Sequence, residues 1–200
     1  MKRLLAFMGS PRFGGNTDIY LKEVLSAAEA NGASIEKINL YGIDITPCIE
    51  CGGCDLTGVC VLNDDMRDIY RKLDEANVII VASPVFFYNV SSRTQALVER
   101  SQALWIRKYV LKKRLANPHR RGIFVSIGAT KGKKLFDGVL MVMKYFFDAI
   151  DCPFERAFLY RKIEKKGEIR QRKEVLEEAR VLGMRLAKNE DLSELGVETP

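Results

Sequence analysis

The chain has one histidine, one tryptophan and no stretch near about 18 consecutive apolar residues, so a transmembrane helix is excluded. The histidine, His119, lies in the basic turn Pro118-His119-Arg120-Arg121, which favours a surface role over catalysis. Internal repeats and low-complexity segments are absent. The opening Met1-Lys2-Arg3-Leu4-Leu5-Ala6-Phe7-Met8 starts like a signal peptide, but its apolar stretch ends in a Gly-rich turn without a small-residue cleavage site. It reads as a buried first strand, and the protein as cytoplasmic. Acid is missing from one region: between Arg107 and Arg121 there are seven Lys or Arg and no Asp or Glu, which accounts for the net charge of +6. No interleaved aromatics or nucleic-acid module accompany this run, so nucleic acid is excluded as a partner. Two readings remain for it: a solvated helix end and loop, or a docking surface for an acidic redox partner or a nucleotide phosphate.

What is present is a regular alternation. Apolar runs at residues 4–8, 35–40, 78–82, 123–127 and 154–160 read as strands. Between and after them, residues 17–31, 65–75, 92–110, 134–150 and 168–188 carry apolar side chains at helical spacing. Strand and helix in turn predict an α/β domain with parallel strands and crossover helices, one domain over residues 1–200. Asn16 and Asp64 are placed to cap the first two helices, and Asn31-Gly32 to end the first. Trp105, at helical spacing from Leu97, reads as core or interface, and the isolated Cys152 as a small buried hydrophobe.

Three loops follow strand ends, where open α/β sheets bind ligands. The first, Gly9-Ser10-Pro11-Arg12-Phe13-Gly14-Gly15-Asn16-Thr17, leads into a helix. Glycines allow a tight turn with inward amides, Ser10, Asn16 and Thr17 offer short donors, and Arg12 offers a charged fork: an anion site. A dinucleotide fingerprint is missing. Pro11 occupies the place of its second glycine, and Asn39-Leu40-Tyr41 offer no acid for a ribose, so a terminal phosphate monoester fits better. The second loop, Pro84-Val85-Phe86-Phe87-Tyr88-Asn89, presents three consecutive aromatics suited to the walls of a flat ring or to a subunit interface. The third, around Gly128 and Thr130, is small enough for a ring edge to approach.

Cys48, Cys51, Cys54 and Cys60 follow a Cys-x2-Cys-x2-Cys-x5-Cys spacing. In a cytosolic chain this points to metal or redox chemistry; the spacing admits a [4Fe–4S] cluster, a tetrathiolate zinc or a metal-free loop.

Taken together, the Gly-Ser-Pro-Arg and Gly-Asn-Thr loop, the clustered cysteines, Asp-Asp-Met before a helix and Ser-Pro-Val-x-x-x-x-Val-Ser resemble the NADPH-dependent FMN reductase superfamily, and within it the iron-sulfur flavoproteins. The resemblance covers about residues 3–150. It implies a flavodoxin-like three-layer sandwich with a five-stranded parallel sheet in the order 2-1-3-4-5. It further implies FMN on Ser10, Arg12, Asn16 and Thr17 and on the 84–89 loop, and a [4Fe–4S] cluster on the four cysteines of an insertion at about 47–63. The function it implies is an FMN-dependent oxidoreductase working between NAD(P)H, or a reduced protein donor such as ferredoxin, and an acceptor, assembled as a homodimer or homotetramer. The flavin would carry the chemistry, so no catalytic residue is expected of the protein. The rival expectation is a non-enzymatic electron carrier or redox-responsive binding protein.

Overall fold

The computed structural model of the chain describes residues 1–113 and 119–199. Strands β1 (Arg3–Met8), β2 (Ser34–Asn39), β3 (Val78–Pro84), β4 (Arg121–Ile127) and β5 (Phe154–Tyr160) are parallel and lie in the order 2-1-3-4-5. The sheet has one strand more than the sequence suggests. β6 (Val197–Glu198) adds antiparallel to β5, pairing Val197 with Ala157. Two residues carry no period, so such an edge strand has no sequence signal.

Helices α1 (Asn16–Ala30), α2 (Met66–Glu75), α3 (Ser92–Arg100), α4 (Gln102–Trp105), α5 (Asp137–Ala149) and α6 (Lys173–Lys188) cover both faces. Alternate strand residues divide between two cores. Leu4, Ala6, Met8, Val78, Ile80, Ala82, Ile123 and Val125 pack with α1 and α6, while Leu5, Phe7, Ile79, Val81 and Phe124 pack with α2, α3 and α5. Burial on both faces is why these strands read as continuous apolar runs. The first face is tight: a Cβ at Gly183 of α6 would stand 2.1 Å from the Val24 carbonyl of α1.

The single helix expected over 92–110 is broken. Ser101 Oγ donates to Leu97 O at 3.0 Å, α4 runs for one turn, and a π-turn closes with Leu111 N–H on Ile106 O at 3.0 Å. The expected caps shift too. Gly15, not Asn16, is the N-cap of α1, and Asp64 lies one residue before the N-cap of α2, where its carboxylate still accepts the Met66 N–H at 3.1 Å. Asn31 and Gly32 end α1 as expected, Gly32 with φ 86°. Cys152 is buried, and that burial pushes its thiol up to about 12. No helix among the described residues is long and apolar enough to cross a membrane.

Candidate functional site

The carboxyl ends of β1, β3 and β4 deliver the three loops to one edge of the sheet. Four buried hydroxyls join them from beneath. Ser126 Oγ donates to Ser83 O at 2.9 Å, Ser91 N–H donates to Ser83 Oγ at 3.0 Å, and Ser91 Oγ lies 2.9 Å from Thr94 Oγ1 while capping α3. Thr94 in turn abuts the first loop: a Cβ at Gly9 would stand 2.0 Å from its Oγ1, so only glycine fits.

Above this floor is a cleft lined by Ser10, Pro11, Arg12, Asn16 and Thr17, by Pro84, Val85 and Phe86, and by Ile127, Ala129, Ile163 and Glu164. Seven of the residues read from the sequence as cofactor contacts therefore meet: Ser10, Arg12, Asn16, Thr17, Pro84, Val85 and Phe86. Ser10 and Thr17 are buried, whereas Arg12 is exposed. Asp18, which in the sequence looks like an ordinary first-turn acid, shapes the loop by accepting the Gly14 N–H at 2.8 Å. Burial raises its pKa, but Lys37 and the Gly14 amide outweigh burial and hold the carboxyl below the usual range.

Phe87, Tyr88, Asn89, Gly128 and Thr130 flank the cleft without lining it. Phe86 and Asn89 exchange two backbone hydrogen bonds, 2.8 and 2.9 Å, around a two-residue turn with Phe87 at φ 50° and Tyr88 at φ 63°. Such a turn favours Gly or Asn, so two aromatics held there carry backbone strain, a feature that clusters at ligand sites. Phe87 is fully exposed, and the Tyr88 carbonyl approaches α5 so closely that a Cβ at Gly138 would meet it at 2.2 Å. Gly128 is buried beneath Leu135, and Thr130 O accepts the Lys162 N–H.

Ile163 and Glu164 come from the β5–α6 connection, Arg161-Lys162-Ile163-Glu164-Lys165-Lys166, a mixed-charge stretch that reads as solvated loop.

The four cysteines lie between β2 and α2 and border a single depression with Glu99 and Gln102. Cys48 and Cys51 are exposed, Cys54 and Cys60 half-buried. Burial first, then Asp55, and then the Cys60 and Cys48 thiols push the Cys54 thiol up. Among the described residues no group of three or more His, Cys, Asp or Glu is gathered in metal-holding geometry. The donor set is nevertheless soft, four thiols around one hollow. Chemically these residues fit a thiolate-bound centre.

The neck of this segment is closed by charge. Arg100 of α3 is fully buried and pairs with Asp64, its Nη2 donating to Oδ1 at 3.1 Å, while Nη1 donates to Thr46 O at 2.9 Å. Asp64 also accepts the Thr46 N–H at 3.0 Å. Burial opposes the ionised form of Asp64, but these bonds outweigh it and hold the carboxyl below its ordinary value.

The basic run from Arg107 to Arg121 is largely consumed inside the fold. Arg107 forks onto Asp74, Lys108 pairs with Asp148, Arg121 forks onto Glu155, and the buried Arg120 donates to Ile150 O and Leu73 O. Residues 114–118 of the run, Arg114 among them, lie outside the described residues. Trp105 is partly exposed against Tyr109, with ring centroids 5.4 Å apart.

The sequence model of a family described as NADPH-dependent FMN reductase matches residues 2–156. An iron-sulfur flavoprotein of Methanocaldococcus jannaschii is 38% identical over 104 residues, 52% of this chain and 54% of that protein. The chain spans 44% to 64% of the length of the curated relatives it matches. Among solved structures, the NAD(P)H:quinone oxidoreductase from Methanothermobacter marburgensis superposes with a TM-score of 0.70 at 12% identity, over 92% of this chain and 95% of that one. An archaeal flavodoxin does so with a TM-score of 0.52 at 14% identity, over 94% and 98%. These likenesses make the fold flavodoxin-like.

Proposed function

The chain belongs to the NADPH-dependent FMN reductase family, and on that premise we propose that it is a cytoplasmic FMN-dependent oxidoreductase, a single FMN-binding domain with a cysteine-rich insertion at about 47–63. It passes electrons between NAD(P)H or a reduced protein donor and an acceptor, with a [4Fe–4S] cluster on Cys48, Cys51, Cys54 and Cys60. The observation that carries the reading is the convergence of a phosphate-type loop, an aromatic loop and a small-residue loop on one cleft at the sheet's carboxyl edge. FMN supplies the ability to accept a hydride and release electrons singly, and a thiolate-bound cluster that of one-electron transfer.

The protein's part is placement. Ser10, Thr17 and the loop amides face a phosphate at the start of α1, and Arg12 neutralises it. Pro84, Val85 and Phe86 give the ring an apolar wall, and the floor of serines and Thr94 keeps the loops in register. Arg12→Ala is expected to weaken FMN binding about tenfold to a hundredfold, since a charge-assisted hydrogen bond is worth about 1.5–3 kcal/mol. Flavin fluorescence titration reads the loss, with the bound spectrum unchanged. Equal affinity in wild type and variant would place the phosphate elsewhere. A steady-state assay with NADPH or NADH and a quinone tests the enzyme reading, because a pure carrier would turn over only with its protein partner.

Assembly belongs to the same reading. Phe87, Tyr88, Trp105, Val110, Met141 and Tyr145 are exposed, more apolar surface than a small monomer usually shows, and a homodimer or homotetramer would cover it. Light scattering should report at least twice the 22.7 kDa of the chain; a monomer at micromolar concentration refutes this.

A further inference from the structure

We propose that residues 162–167, the strap between β5 and α6, form a hinged wall of the FMN-phosphate cleft that Asn16 latches shut. The inference rests on the FMN reading above and adds a segment and a role to it. Ile163 and Glu164 line the cleft together with Ser10, Arg12 and Thr17.

Both ends of the strap are left-handed, Lys162 with φ 59° and Gly167 with φ 78°. Glycine takes that conformation at no steric cost, whereas a lysine there is uncommon and strained. Two such positions bracketing a short segment are places where a torsion change can swing it without disturbing the strand before or the helix after.

The body of the strap is held mainly by long bonds. Lys162 N–H and Ile163 N–H donate to Thr130 O and Gly128 O at 3.3 Å each, and Arg12 reaches Glu164 O at 3.4 Å. Two backbone bonds to the strap's own continuation are shorter, Glu168 N–H to Lys165 O at 3.0 Å and Arg170 N–H to Gly167 O at 3.1 Å, and the shortest come from two side chains. Glu168 Oε2 accepts the Glu164 and Lys165 N–H groups at 2.7 and 2.8 Å, but Glu168 is the strap's own continuation and stiffens it without anchoring it. Asn16 belongs to α1. Its Nδ2 donates to Lys165 O at 2.9 Å, and its Oδ1 accepts the Ile169 N–H at 3.2 Å. With both ends of its amide engaged, Asn16 acts as a latch, and the phosphate is left to Ser10, Thr17, the loop amides and the rest of the Arg12 fork.

Closure draws on burial and on charge. Ile163 is only 3% exposed and seats the strap in the core. Lys166 Cε would stand 3.9 Å from a Cβ on Gly14 of the first loop, and the strap's three lysines outnumber its one acid, the cleft-lining Glu164, so its net charge favours a dianion. A bound phosphate therefore favours the closed strap, and the closed strap retains the phosphate.

The three lysines make the strap its own reporter, because trypsin cuts after each only when the backbone opens. Limited proteolysis of the full chain, with cuts mapped by mass spectrometry, should show FMN slowing cleavage at Lys162, Lys165 and Lys166 by about tenfold or more, with riboflavin, which lacks the phosphate, protecting far less. Asn16→Ala should speed those cuts in FMN-free protein and weaken FMN retention. Ile163→Ala, which leaves the phosphate loop untouched, should give the same cleavage pattern. Were wild type to bind FMN while these cuts proceeded alike with FMN, with riboflavin and in Asn16→Ala, the strap would be a fixed loop and the inference overturned. No FMN uptake by wild type would overturn the FMN reading and this one with it, an outcome distinct from the first.

Discussion

Arg100→Met should destabilise the protein by about 3–5 kcal/mol, the cost of stranding a buried carboxylate. Asp64 is 5% exposed in its side chain and Arg100 not at all, so water cannot replace the lost guanidinium. The Thr46 carbonyl loses its donor in the same step, and the neck that ties both ends of the cysteine segment to α3 opens. Thermal or urea unfolding reads the loss. The pH dependence identifies its origin. The folded pKa of Asp64 lies below its ordinary value of 3.8, so the pair contributes fully above that value, and the contribution is lost as pH falls through the folded pKa. In Arg100→Met the carboxyl loses the partner that held it down. The stability gap between wild type and variant should therefore be widest near neutrality and narrow below about pH 4. A gap that is small at pH 7, or equally wide at pH 3, would mean the ion pair does not hold the neck.

Anaerobic reconstitution with iron and sulfide should load wild type with about four irons per chain, and Cys51→Ser or Cys54→Ser should abolish that loading while FMN stays bound. The segment has almost no core of its own: Ile49, Leu56, Val59 and Val61 are exposed, and its bends use left-handed Glu50, Gly52 and Gly58. A metal centre is the natural source of order for such a loop. The loops proposed to hold FMN come from other parts of the chain, at the ends of β1, β3 and β4, so losing the centre should leave them intact. Iron and sulfide assays beside the flavin spectrum decide it. If wild type takes up no iron, the chain is a plain FMN reductase; if FMN leaves with the iron, the two sites are not independent.

Local pattern alone makes a good part of the fold and of the cleft legible. Five strands and their crossover helices follow from apolar runs and helical spacing, because burial on both faces or one stripe is written in the period of the residues themselves. The first loop's place at the cleft is legible for a similar reason: glycines, short donors and Arg12 stand side by side in the chain, and a helix follows directly, the arrangement expected of an anion site. The cysteine spacing marks a thiol-rich segment on the same local grounds.

Partners distant in sequence were decided only by the tertiary structure. The run from Arg107 to Arg121 looks like a basic surface because its acids, Asp74, Asp148 and Glu155, lie on α2, α5 and β5 and arrive only when those elements pack. Asn16 has the right type and place for a cap or a phosphate contact, yet its amide is claimed by Lys165 and Ile169, 149 and 153 positions on. Arg100 reads as one more charge on a helix until the neck of the cysteine segment closes over it. A hydrogen bond or ion pair depends on two groups meeting, and when they are far apart in the chain the residues near either one carry no record of the other.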